Sequence, residues 1–271
     1  MRAHTGTPVP VFDDLISGGR DRIVAATTGL FSHGPQPLDR TLDHAPDPGL
    51  LGPDSVSWRV IGDTAAFVGG IRALIVQTAH PEVVAGVEQH SRYRTDPLGR
   101  LTRTSFYVTE TTYGAMPEVE RAVAMVRRAH TPVRGRSERD RPYSAGQPAL
   151  AAWVHNVLTD SFLEAYRTYG PEPLSTADAD RFVEEQSRIG TLLGADPLPL
   201  TAGELSDWVT NHPDLAPTDD LASAVEFLAE PPLSLPVKAG YRPLFQAAAA
   251  TLPARIQDIT GVTPGWKAAE I

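Results

Sequence analysis

Residues 118–135 decide the fold class, and they read EVERAVAMVRRAHTPVRG. Val119, Val123 and Val126 recur at steps of three and four residues, and His130 follows four residues after Val126. That spacing is typical of one face of an α-helix, so it predicts a helix whose apolar face carries His130 toward the protein interior. The acidic first turn and the arginines of the last turn suit the helix dipole.

The histidine at the end of this predicted helix has two interpretations. It can be an axial ligand of a metal, or it can be a core histidine that is hydrogen-bonded to a backbone carbonyl. The helix pattern alone favours the second interpretation, so residues elsewhere in the chain are needed to decide between the two.

Composition and charge limit the chemistry of the whole chain. The protein has 271 residues, with 24 Lys and Arg against 33 Asp and Glu and a formal net charge of -9. This acidic balance argues against nucleic-acid binding. The sequence has no cysteine, which excludes thiolate zinc sites, cysteine nucleophiles, iron–sulfur clusters and thiolate-ligated haem. Any metal must therefore be bound by histidine or by oxygen ligands.

The sequence shows no targeting or membrane segment. The N-terminal residues contain no apolar stretch of the kind that a signal peptide needs. The most apolar run, residues 65–79, is too short and too interrupted by polar residues and glycine to span a bilayer. We therefore expect a cytoplasmic protein without stable membrane insertion.

The remaining periodicity predicts a single all-α domain over residues 1–271, with about ten helices, because no strand-like alternation persists and prolines fall between periodic segments. Segment 56–78 is apolar on nearly every side, which predicts a helix buried all round. Within it, Gly69 and Gly70 either break the helix or admit a close neighbour, such as a second helix or a flat cofactor. The proline-rich segment 33–55 predicts a long surface connection.

A helix predicted from Pro97 to about Tyr113 carries a polar face. Arg100, Arg103 and Thr104 lie at positions i, i+3 and i+4, so they share one side of the helix. Nearby positions are apolar, and two arginines and a threonine directed at one spot inside an apolar protein need an anion or a polar ligand. The alternative is a pair of solvated arginines on an outer face.

Four local patterns occur in a fixed order along the chain. They are QTAHPEVVAGV at 77–87 with HS at 90–91, DP at 96–97 with RLTRT at 100–104, HTPVRG at 130–135, and YSA at 143–145 leading to WVH at 153–155. In order and spacing they resemble the catalytic domain of the rubber oxygenases (latex-clearing proteins) and the related MpaB-type oxygenases. The likeness covers roughly residues 55–210.

The resemblance implies a haem b protein with a globin-like all-α core. It matches His130 to the family's axial histidine, and Arg100 and Thr104 to the arginine and threonine of an arginine-x-x-lysine-threonine pattern close to the haem. Here Arg103 replaces the lysine of that pattern. Lysine can lose a proton and bind iron, whereas arginine cannot. We therefore expect a distal side without a protein ligand, with Arg103 as a hydrogen-bond donor, and this departure argues against rubber as the substrate.

The function that the resemblance predicts is a haem b-dependent oxidoreductase, an oxygenase that uses dioxygen on a small apolar organic substrate. Oxidation or cleavage of a C=C bond is the implied reaction. In this hypothesis His130 binds the iron, Arg103 and Thr104 polarise dioxygen in a pocket that excludes water, and Arg100 orients the cofactor or the distal network.

Three alternatives remain at this stage. The chain could hold haem without turnover, as a sensor or carrier. It could bind non-haem iron through histidines and carboxylates of a helical bundle, although the Glu-x-x-His spacing of ferritin-like sites is missing. A metal-free helical scaffold fits the composition but leaves the arginines without a partner. The candidate ligands for non-haem iron are His80, His90, His130 and His155, with Glu82, Glu88 or Asp160.

Overall fold

The computed structural model describes residue 38 and residues 40–265 of the chain. Within these residues the protein forms eleven α-helices and one sheet of two short strands, so the prediction of an all-α fold is confirmed. The first described element is a 3-10 helix at Thr41–His44. The elements that follow are α1 (Val56–Ile61), α2 (Ala65–Gln77), α3 (Pro81–His90), α4 (Pro97–Tyr113), α5 (Met116–His130), β1 (Arg134–Arg136), β2 (Pro142–Ser144), α6 (Pro148–Tyr169), α7 (Thr176–Leu193), α8 (Ala202–Thr210), α9 (Asp219–Ala229), α10 (Leu235–Ala250) and α11 (Ala254–Thr260).

The pair of helices α2 and α6 forms the centre of the core. At Gly69 an added Cβ would lie 2.8 Å from Phe162 Cδ1 and 3.0 Å from the Ser161 carbonyl oxygen, so the missing side chain lets the two helices approach closely. The neighbouring Gly70 has no such contact within 4 Å. Of the two interpretations of these glycines, the close approach holds for Gly69, and the helix continues through both residues.

A buried ion pair also joins α2 to α6. The Arg72 guanidinium donates 2.7 and 2.8 Å hydrogen bonds to Asp160 Oδ2 and Ser161 Oγ. The side chains of Arg72 and Asp160 are only 1% and 3% exposed. A buried charge without its partner costs several kcal/mol, so this pair fixes how α2 lies against α6.

Two predictions about regular structure are corrected. The apolar segment predicted as one helix forms two helices, which are separated by residues 62–64. Asp63 Oδ1 accepts a 2.7 Å hydrogen bond from the N–H of Ala65, the first residue of α2. Although the sequence shows no persistent strand-like alternation, residues 134–136 form β1, which pairs antiparallel with β2. Strands of three residues are too short for alternation to reveal them.

The proline-rich segment 33–55 is described only from residue 38 onward, and its described part holds turns and the single 3-10 helix, as a surface connection should. In the described part of the chain, no helix combines the length and the apolar composition that a bilayer crossing needs.

Candidate functional site

The predicted site residues all lie on one helical hairpin. Helices α4 and α5 are joined by only two residues, a length that is typical of antiparallel neighbours. The Arg121 guanidinium on α5 donates a 2.6 Å hydrogen bond to Glu110 Oε1 on α4. Near the same end, the Tyr113 hydroxyl donates a 3.1 Å hydrogen bond to the Trp58 carbonyl on α1. These contacts anchor the connection, so the first turns of α4 and the last turn of α5 lie at the opposite, open end.

His130 is the last residue of α5, and its side chain is exposed. The prediction that it points into the core is wrong, because the fully buried positions of α5 end at Val123. Desolvation by the surrounding protein nevertheless lowers the pKa of the imidazole. The ring is therefore neutral at pH 7, and one nitrogen can bind a metal.

The Arg100 side chain is half-buried at the open end of α4. Its guanidinium carbon lies 5.7 Å from the centre of the Tyr93 ring, a cation–π contact. Desolvation lowers the pKa of Arg100, and the nearby charge of Arg103 acts in the same direction. Within the described residues, no acceptor forms a hydrogen bond with this guanidinium. A half-buried arginine of this kind can bind a carboxylate or another anion.

Arg103 and Thr104 are exposed, so the prediction that they point into an apolar interior is wrong. Arg103 Nη1 lies 3.4 Å from Asp96 Oδ2, in a pair whose side chains are 64% and 50% exposed. Asp96 also caps α4 by accepting from the Gly99 N–H, which holds its carboxylate beside this turn of the helix. The Thr104 hydroxyl donates a 3.1 Å hydrogen bond to the Arg100 carbonyl. The solvated interpretation therefore describes Arg103 in this structure.

Tyr107 is a further polar residue of this face that the sequence analysis missed. It follows Arg100 by seven residues, two helical turns, and so lies on the same side of α4. Its hydroxyl is buried without a hydrogen-bond partner in the described part of the chain, and burial raises its pKa. A buried hydroxyl without a partner costs free energy, so it marks a position where a polar atom of a ligand fits. The i, i+7 spacing from Arg100 was the signal available in the sequence.

The open end of the hairpin also leaves apolar surface incompletely covered. Leu101, Phe106 and Val126 are only half-buried, and Met125 is 51% exposed. Helices that pack against a core normally bury such side chains. The histidine, the arginine and the tyrosine described above thus share one hairpin with partly exposed apolar side chains, and within the described residues no hydrogen bond or ring contact joins His130 to the other two.

A second group of polar side chains surrounds His80, which precedes α3 and is 3% exposed. Burial lowers the pKa of His80 to about 4, against the opposing charge of Glu82. The Glu82 carboxylate is itself buried, which raises its pKa, but hydrogen bonds from Arg139 and Ser137 outweigh that effect and bring the pKa to about 2. At pH 7 this group therefore holds a neutral imidazole beside a carboxylate that is paired with an arginine.

His212 and Asp214 complete this second group from the connection between α8 and α9. One potential ligand atom each of His80, His212 and Asp214 lies within 4.8 Å of the others. Asp214 Oδ1 accepts a 2.6 Å hydrogen bond from Arg141 and a 3.4 Å hydrogen bond from Arg139. The sequence analysis gave no role to the segment that carries these arginines, and no local pattern links His80 to residues more than 130 positions later.

The non-haem iron site considered from the sequence does not assemble from the residues proposed for it. The exposed His90 ring lies 3.1 Å from the Arg134 carbonyl, and His155 is buried, which lowers its pKa to about 4. Asp160 is taken up by the buried arginine of α2. In the described residues, His80 with His212 and Asp214 is the only group of three or more histidines and carboxylates placed to share a metal ion.

The chain matches the family model described as ER-bound oxygenase mpaB/B'/Rubber oxygenase, catalytic domain, over residues 58–271. The match extends beyond the segment 55–210 expected from the four local patterns and includes helices α2 to α11. It therefore covers the open end of the hairpin as well as the group around His80. Neither a curated protein nor a solved structure matches the chain.

Proposed function

The chain belongs to the family of mpaB-type and rubber oxygenase catalytic domains, and we propose that it is a haem b-dependent oxygenase that uses dioxygen to oxidise a small apolar organic molecule. The family match over residues 58–271 carries this proposal, because the matched family is one of oxygenases. The haem, the substrate class and the roles of individual residues are the parts that we add.

Three side chains of the hairpin hold the haem in this proposal. The neutral imidazole of His130 binds the iron, and Arg100 binds a propionate carboxylate through its guanidinium, which lacks an acceptor among the described residues. Thr104 supports Arg100 through the 3.1 Å hydrogen bond to its carbonyl. Haem b, when bound, supplies the redox chemistry that activates dioxygen. The globin-like arrangement of the core remains a prediction.

Arg103 and Thr104 act on dioxygen in this proposal. The ion pair of Arg103 with Asp96 is exposed, and such pairs contribute less than about 1 kcal/mol, so the guanidinium can leave Asp96 at little cost. It then donates hydrogen bonds to dioxygen, and the Thr104 hydroxyl, which has only one proton to donate, turns from the Arg100 carbonyl to dioxygen when dioxygen is present. Because arginine keeps its proton, Arg103 stays a donor and does not compete for the iron.

The substrate is apolar because the surface around these donors is apolar. The half-buried side chains of Leu101, Phe106 and Val126 offer a surface on which an olefin packs and from which it displaces water. A small cavity between α2, α3 and α9 reaches Arg100 and is lined mainly by apolar side chains. We assign to α9 the control of substrate access, and to the enzyme the oxidation or cleavage of a C=C bond.

Dioxygen consumption by haem-loaded protein tests this function. Wild type should consume dioxygen with at least one member of a panel of small olefins. Arg103→Met and Thr104→Val should each lower the rate by about 100-fold, as removal of one aligned donor does in other enzymes. Arg127→Met, at an exposed position on α5, is the matched control and should keep the wild-type rate.

Two results would replace this proposal with another. Carbon monoxide and dioxygen spectra of a haem protein that oxidises no olefin of the panel would indicate a sensor or carrier. Purified protein with stoichiometric iron and no Soret band would indicate a non-haem protein.

A further inference from the structure

The group around His80 has no part in the proposed haem site, and no residue or hydrogen bond is shared between the two within the described residues. It consists of His80 before α3, and of His212 and Asp214 between α8 and α9. We propose that these three side chains bind one divalent transition-metal ion, separate from any haem.

The spacing of the two imidazoles suits a single ion. Their ring centres lie 5.4 Å apart and their planes are inclined by 53°. Two imidazoles that bind one tetrahedral ion at 2.0–2.1 Å have ring centres about 5.2 Å apart. The three potential ligand atoms lie within 4.8 Å of one another, and closure onto an ion brings such atoms to about 3.3 Å. Small side-chain adjustments are therefore enough.

His80 supplies an independent indication of a ligand. Its Nδ1 is buried without a hydrogen-bond partner, and the whole residue is 3% exposed. Neither ring nitrogen donates or accepts a hydrogen bond among the described residues. Glu82 Oε2 lies 3.4 Å from Nδ1 but forms no hydrogen bond with it, so this carboxylate does not satisfy the nitrogen.

Asp214 has one oxygen available. Arg141 and Arg139 both bind Oδ1, and Oδ2 has no hydrogen-bond donor in the described part of the chain. The two arginines balance the charges of Glu82 and Asp214, so the site has no net negative charge before an ion binds. We therefore expect moderate affinity, and imidazole with carboxylate favours ions such as Zn²⁺ or Fe²⁺ over Ca²⁺ or Mg²⁺.

Tryptophans hold the second imidazole in place. The His212 ring lies 4.8 Å from Trp208 and 5.1 Å from Trp153, measured between ring centres. His212 Nδ1 accepts only a long, 3.3 Å hydrogen bond from the Asp214 N–H, which a metal ion would replace. Aromatic packing thus restricts the orientation of the His212 ring.

Titration of chelator-treated, haem-free protein with Co²⁺ tests this proposal. Wild type should bind one ion per chain and develop the visible absorption of Co²⁺ with nitrogen and oxygen ligands. His212→Gln and Asp214→Asn should each weaken binding at least about tenfold. His90→Gln, an exposed histidine outside the group, is the matched control and should bind as wild type does.

Calorimetry with Zn²⁺ and thermal melts separate lost binding from lost folding. Zn²⁺ should raise the melting temperature of wild type but not that of the two ligand variants, whose circular dichroism should match wild type. His130→Ala should keep full Co²⁺ binding, whatever its haem content, so this proposal and the haem proposal can fail separately. Absence of saturable binding to wild type, or an equal loss in His90→Gln, would overturn the metal site.

Discussion

Replacement of Gly69 by alanine tests the close approach of α2 to α6. An added Cβ would lie 2.8 Å from Phe162 Cδ1 and 3.0 Å from both Phe162 Cα and the Ser161 carbonyl oxygen. Two of these three atoms belong to the backbone of α6, so relief of the overlap requires movement of a helix and not a rotation of a side chain. Gly70 is the matched control, because nothing lies within 4 Å of a Cβ added there.

The two substitutions should have opposite effects on the free energy of unfolding. Alanine is about 1 kcal/mol more favourable than glycine inside a helix, and nothing opposes that gain at Gly70. At Gly69 the overlap should cost about 2–3 kcal/mol and exceed the gain, for a net loss of roughly 1–2 kcal/mol. The two variants then differ by about 2–3 kcal/mol, and for a domain of this size their melting temperatures should differ by about 4–12 °C.

Urea unfolding of Gly69→Ala, Gly70→Ala and wild type, followed by circular dichroism, measures these free energies under one set of conditions. Gly69→Ala should unfold at lower urea than wild type, and Gly70→Ala at the same or higher urea. Equal stabilisation by both substitutions would refute the close approach at Gly69, since the helix-propensity gain would then be the only effect present.

Two further predictions concern stability. Arg72→Met leaves Asp160 buried without its 2.7 Å partner and should cost about 3–5 kcal/mol in urea unfolding. Asp178→Asn breaks an exposed pair and should lower the free energy of unfolding much less than Arg72→Met does. Similar losses in both variants would contradict the stabilising role of the buried pair. Burial lowers the pKa of His155 from 6.5 to about 4, so the unfolded chain takes up this proton first as pH falls. Because of this group, the free energy of unfolding should decline from pH 6.5 toward pH 4 by up to about 1.4 kcal/mol per pH unit. His155→Gln should make the free energy of unfolding depend less steeply on pH between pH 7 and pH 5, and His90→Gln should not.

Local periodicity was sufficient to predict most of the fold, because a helix repeats its pattern within a few residues of itself. Periodicity did not reveal features of only about three residues, because such features are shorter than one repeat of the helix or strand pattern. Residues 62–64 end one helix and begin another within an otherwise apolar segment, and the strands of the small sheet have only three residues each. Gly69 showed that a close neighbour was possible, but only the packing of α6 distinguishes it from Gly70.

The candidate site was predictable as positions on helices but not as a three-dimensional arrangement. The apolar stripe of α5 places His130 in line with buried valines, yet the helix extends past the neighbours that bury them. The same limit applies to Arg103, which shares a face with Arg100 but pairs with the cap of its own helix. The group of His80 with His212 forms through tertiary contacts alone, so the spacing of these residues along the chain does not predict it.

The haem content of His130→Ala tests the central claim most directly. Wild type, His130→Ala and His90→Ala are expressed in parallel with a haem precursor, and the Soret absorbance of each purified protein is divided by its protein concentration. If His130 holds the iron, wild type and His90→Ala should each contain about one haem per chain, and His130→Ala should lose most of its haem with unchanged circular dichroism. Full haem absorbance in His130→Ala would contradict the assignment of this histidine as the iron ligand.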